Sequence, residues 1–145
     1  MKPQPEIKSK VMKKEISKSL REIEVRGCGM VLNFSTNKKN NGYFVGKTDY
    51  EIICKHVIVM AELKIGKDKL SQRQIDYANY IISLNRPGII YVIFNERNYL
   101  QVKNAILSQD TTSLYTYETE SEKILLLEQE RLDKLNLSKL KRSKK

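Results

Sequence analysis

Tryptophan is absent from this 145-residue chain, cysteine occurs twice, histidine once and proline three times. Cys28 and Cys54 are too few for a disulfide framework, so they read as small apolar thiols of a reducing, intracellular setting. With a single histidine beside them, no zinc cluster can be assembled. His56 sits between two strand-like runs and reads as an exposed turn residue rather than a ligand. Long apolar runs are missing too. The longest, Ile89 to Phe94, is far short of the roughly 20 residues a membrane helix needs, and the opening Met-Lys-Pro-Gln-Pro has no apolar centre of a signal peptide. The expectation is a soluble protein that is not exported. Apolar residues make up 40% of the chain, enough for one packed core at this length, so one domain with tails is expected.

What the chain does have is positive charge, a formal +10 from 27 Lys and Arg against 17 Asp and Glu. Its placement is uneven. Residues 1–18 carry six Lys and two Glu, and residues 131–145 carry seven Lys or Arg and one Asp, which leaves fourteen of each sign between them. The whole excess lies at the two ends. Within the neutral middle, residues 38–73 hold eight basic and four acidic side chains, whereas residues 110–130 hold six acidic side chains and only Lys123. Basic ends can be solvated tails, or they can attract a polyanion such as nucleic acid.

Apolar periodicity outlines the elements. Met12, Ile16, Leu20 and Ile23 form one stripe of an amphipathic helix that ends before Gly27. Met30 to Ser35 reads as a strand, followed by a polar loop from Thr36 to Gly42. Tyr50 to Cys54 and Val57 to Leu63 are short β-branched runs that predict a hairpin, the second apolar on both faces and therefore central. A helix is expected over Ser71 to Leu84, with Ser71 and Gln74 spaced as a capping box. Ile89 to Phe94 is the clearest strand. A helix near Asn98 to Ser108, an edge strand near Ser113 to Tyr117 and a helix from Ser121 to about Leu135 complete the expectation. The lysine-rich Asn136 to Lys145 is expected to be a mobile tail. The core would thus span 1–108, its extension 109–135 and the tail 136–145.

Three residues stand where a strand pattern does not want them. A hairpin closing symmetrically about Lys55 and His56 sets Cys54 opposite Val57 and Asp49 opposite Glu62, and directly opposed residues share a face. Lys64, two residues beyond Glu62, points the same way. Opposed carboxylates repel unless a cation neutralises them, and two carboxylates suit a hard ion such as Mg2+, with Mn2+ as its substitute. That is a phosphodiester hydrolysis site in outline.

The run Gly46-Lys47-Thr48-Asp49, then a strand, then Ala61-Glu62-Leu63-Lys64, resembles the D…ExK signature of the PD-(D/E)xK nuclease superfamily. Leu70-Ser71-Gln72-Arg73-Gln74 is similar to the L-S-x-x-Q stretch of its virus-type replication-repair (VRR-NUC) nucleases. The resemblance covers about residues 11–95 and departs from the pattern at Thr48, where the family usually has proline. It implies an α/β fold with a restriction-endonuclease-like core (helix, three strands, helix, strand), a mixed sheet flanked by helices, and here a C-terminal helical extension. By the same resemblance Asp49, Glu62 and the backbone carbonyl of Leu63 hold the metal, Lys64 stabilises charge at the phosphate, and Gln74 orients the nucleophile or backbone. The first-helix glutamate has two candidates, Glu15 and Glu22, of which Glu15 fits the pattern better. Lys38, Lys39, Lys47, Lys67, Lys69 and Arg73 are candidate DNA contacts, the Lys38–Lys39 loop being equally readable as merely solvated. Gln74 is also what a capping box requires, and Tyr77 and Tyr80 read as packing or interface residues.

The expected activity is therefore a metal-dependent endonuclease cleaving DNA, branched, flapped, four-way or double-stranded, as in repair or recombination. RNA remains open as a substrate, and a homodimer is implied. The alternative is a nucleic-acid-binding module that keeps the fold and does not cut.

Overall fold

The computed structural model describes residues 5–34 and 48–143, with side chains described for 10–34 and 48–142. Helix α1 (Pro5–Val25) leads into β1 (Gly29–Asn33). The hairpin strands are β2 (Tyr50–Cys54) and β3 (Ile58–Leu63). Then come α2 (Gln72–Ser83), β4 (Ile89–Phe94), α3 (Tyr99–Leu107) and the long α4 (Thr111–Ser143). The strands form one mixed sheet in the order β1-β2-β3-β4, antiparallel except for the β3–β4 pair, with helices on both faces. This is an α/β fold. Among the described residues no helix is long and apolar enough to cross a membrane.

The expected first stripe buries Ile16, Leu20 and Ile23 against Tyr50, Ile52, Val59, Ala61, Val92 and Phe94. Gly27, at φ +69°, ends α1 in a paired-bond cap: its N–H donates to Glu24 O, and the Cys28 N–H donates to Ile23 O. The opposite face of the sheet presents Met60, Tyr91 and Ile93 to Ile75 and Ala78 of α2 and Leu125 of α4. β3 lies between β2 and β4 and is covered on both faces, as its two apolar faces predict.

Two expectations are corrected. Ser113 to Tyr117 is not an edge strand but part of the first two turns of α4. Asp110 caps that helix, its carboxylate accepting from the Ser113 N–H (3.1 Å) and hydroxyl (2.7 Å), and Leu114 is buried in the core. Capping and burial override the β preference of two tyrosines and a threonine. The same helix does not stop near Leu135: Asn136 to Ser143 continue it rather than forming a mobile tail. Leucine, lysine and arginine are good helix formers, a helix already docked bears no new nucleation cost, and Lys141 and Arg142 in the last turn complement its dipole.

α4 also explains how the exposed edge of β4 is protected. The Tyr91 N–H donates to Glu118 Oε2 at 2.7 Å and the Ile93 N–H to Ser121 Oγ at 2.8 Å, so side chains one turn apart take the place of a fifth strand. Burial raises the Glu118 carboxyl above its ordinary range, against the opposing pull of the Tyr91 hydrogen bond.

Candidate active site

The β2–β3 register pairs Tyr50 with Ala61 and Ile53 with Ile58, the symmetric closure about Lys55 and His56. One step beyond the ladder, Asp49 stands beside Glu62, and its Oδ2 accepts the Leu63 N–H at 2.8 Å. Because Tyr50 and Ala61 face α1, alternation turns Asp49, Glu51, Met60 and Glu62 to the α2 side. Gln74 demonstrates this for Glu62: reaching down from α2, its Nε2 donates to Glu62 Oε1 at 3.1 Å. Glu62 is only 2% exposed.

Gln74 serves two purposes at once. Its N–H donates to Ser71 Oγ, its Oε1 accepts the Ser71 N–H, and its Nε2 donates to the Glu62 carboxylate. The capping box therefore fixes the side chain that holds Glu62. Tyr77, one turn further along α2, has its phenol raised by burial and then by the charges of Glu51 and Glu62. Tyr80 is exposed.

Lys64 is drawn toward α4. Its Nζ donates to Glu128 Oε1 at 2.7 Å, while Glu128 Oε2 accepts from Arg131 (2.9 Å) and from the Leu70 N–H (3.2 Å). Arg131 in turn donates to Leu70 O at 2.9 Å. Burial alone would raise the Glu128 carboxyl, but the hydrogen bonds from Lys64, Arg131 and Leu70 outweigh it and hold the group below its ordinary value. This network ties the β3–α2 connection, which carries the exposed Lys67 and Lys69, to the C-terminal helix. Arg73 is exposed at the start of α2.

The other expected residues are placed apart or lie outside the description. Glu15 is exposed on α1, which packs on the sheet face opposite to Glu62. Glu22 pairs with Lys103 of α3 at 2.8 Å, and that hydrogen bond and charge lower its carboxyl. Lys38, Lys39 and Lys47 lie outside the described residues. His56 is exposed in the hairpin turn.

Sequence reasoning missed Glu51 and Glu128. Glu51 is two residues from Asp49, so strand alternation alone could have placed it on the same face. Glu128 had no local signal, because its partner Lys64 is 64 positions away. Among the described residues no group of three or more His, Cys, Asp or Glu side chains is arranged to hold a metal ion. The donor set at hand is the Asp49 and Glu62 carboxylates with main-chain oxygens, all hard ligands of the kind Mg2+ and Mn2+ take. Compared with protein-family models, curated proteins and solved structures, the chain matches none.

Proposed function

We propose that the protein is a metal-dependent endonuclease of the PD-(D/E)xK type that hydrolyses DNA phosphodiester bonds, with branched, flapped or four-way DNA as the preferred substrate. One observation carries this reading: Asp49 and Glu62 lie side by side on one sheet face, with Lys64 two residues on and Gln74 bound to Glu62. In this reading Asp49, Glu62 and the Leu63 carbonyl would hold Mg2+, which supplies a Lewis acid that acidifies a water and offsets phosphate charge. Gln74 orients Glu62, and Lys64 contributes positive charge on the same side of the sheet. The basic helix end and the Lys67, Lys69 and Arg73 group bind the DNA backbone without reading sequence.

A second reading, a nucleic-acid-binding module that does not cut, is favoured by the engagement of Lys64 with Glu128, which draws the lysine toward α4. Incubating a four-way or flapped DNA with the protein in Mg2+ and in EDTA separates the two. Cleavage that depends on Mg2+ and falls at least about 100-fold in both Asp49→Asn and Glu62→Gln is expected. Undiminished cleavage by either variant sinks the nuclease reading, and tight salt-sensitive binding without products supports the second.

A further inference from the structure

Among the described residues, the buried side-chain oxygens without a hydrogen-bond partner are Thr48 Oγ1 and Tyr91 OH. Both belong to the neighbourhood of the carboxylate pair. Thr48 directly precedes Asp49. Tyr91 lies on β4 alongside Met60, and Glu62 is the next residue of β3 on that face, so the tyrosine is a diagonal neighbour of the glutamate.

The tyrosine is the more telling of the two. It is 1% exposed, its N–H is satisfied by Glu118, and its ring packs with Met60, Ile75 and Ile93, so the unsatisfied atom is the hydroxyl alone. A phenylalanine would fill the same space without burying a polar group, whereas an unpaired buried hydroxyl forfeits a hydrogen bond it makes in water. Burial, and then the charges of Glu62 and Asp49, hold the phenol well above its ordinary range.

We propose that Tyr91 is a positioning residue of the Asp49–Glu62 site, its hydroxyl donating to the Glu62 carboxylate when that carboxylate ligates a divalent cation. A glutamate side chain has three rotatable bonds, and Gln74 restrains one of its oxygens from α2. A second donor from the neighbouring strand restrains the plane of the carboxylate. A carboxylate has lone pairs enough for both bonds and a metal. The inference rests on the metal-dependent reading above.

Thermal unfolding of the full chain in EDTA and across a titration of Mn2+ tests it, for the wild type, Tyr91→Phe and Asp49→Asn. In EDTA, Tyr91→Phe is expected to unfold at or above the wild-type midpoint. With Mn2+ the wild-type midpoint rises, and Tyr91→Phe needs about tenfold more ion for the same rise, within the range typical of groups that support metal ligands. A lower midpoint for Tyr91→Phe in EDTA, which would mean that the hydroxyl has a structural partner, overturns the inference. So does equal ion dependence in Tyr91→Phe and wild type while Asp49→Asn abolishes the rise, an outcome that spares the metal reading. If the wild type shows no rise, or Asp49→Asn keeps it, the metal reading falls and the inference with it.

Discussion

Glu128 joins three parts of the molecule near the site: its two oxygens take Lys64 from just beyond β3, the Leu70 N–H from the connection and Arg131 from its own helix. Its pH dependence has a definite sign. The folded carboxyl titrates below its ordinary value of 4.5, so the network contributes in full above that pH and is lost as the pH falls through the lower, folded value. Urea unfolding of the wild type should therefore weaken steadily below pH 4.5 by an amount that Glu128→Gln does not show. Near neutral pH, Glu128→Ala should cost roughly 2–3 kcal/mol, because it strands the Lys64 ammonium and the Leu70 N–H in a mostly buried place. The contrast with Asp49 and Glu62 shows what a sequence can disclose. That pair follows from counting residues about a two-residue turn, since the ladder fixes which residues oppose each other. Glu128 meets Lys64 only through the packing of α4 on the sheet, and nothing within a few residues of either encodes that meeting.

At the scale of elements, α4 is where local pattern and tertiary structure diverge. Tyr115, Thr116 and Tyr117 have strand preferences, yet Asp110 starts a helix before them, and that helix then carries Glu118 and Ser121 to the open edge of β4. The N–H groups at the open edge of β4 are met by helix side chains and not by a further strand. The first two helices were legible because each buries one apolar stripe, and β3 and β4 because each is a short apolar run covered on both faces. Ser121 allows the edge seal to be measured. It is buried, and its hydroxyl accepts from the Ile93 N–H while donating to Tyr117 O. Ser121→Ala leaves that N–H without an acceptor and should destabilise the protein by about 1–3 kcal/mol in urea unfolding. Hydrogen exchange should show the loss as faster exchange at Ile93 than at Val59, which lies in the sheet interior.

Over the whole molecule, the division of charge along α4 acquires a structural meaning. Its acidic first part is turned inward in two places, Glu118 on the β4 edge and Glu128 on Lys64, so two of its charges are spent within the fold. Its basic last part, from Lys134 to Arg142, is exposed and helical. A polyanion meeting this surface therefore encounters positive charge carried on the same helix that holds Lys64. Affinity from such charge comes from counterion release, which makes it steep in salt and indifferent to sequence. The variant Lys139→Gln, Lys141→Gln, Arg142→Gln keeps good helix formers in place while removing three charges. Its binding to duplex DNA, measured between about 50 and 200 mM salt, should be weaker at low salt, and the slope of log affinity against log salt should flatten by up to about 2.7. Cleavage per bound complex should change little, because these residues follow the last contact of α4 with the Lys64 network at Arg131. An unchanged slope would place the DNA elsewhere on the molecule, with Lys67, Lys69 and Arg73 the next group to neutralise.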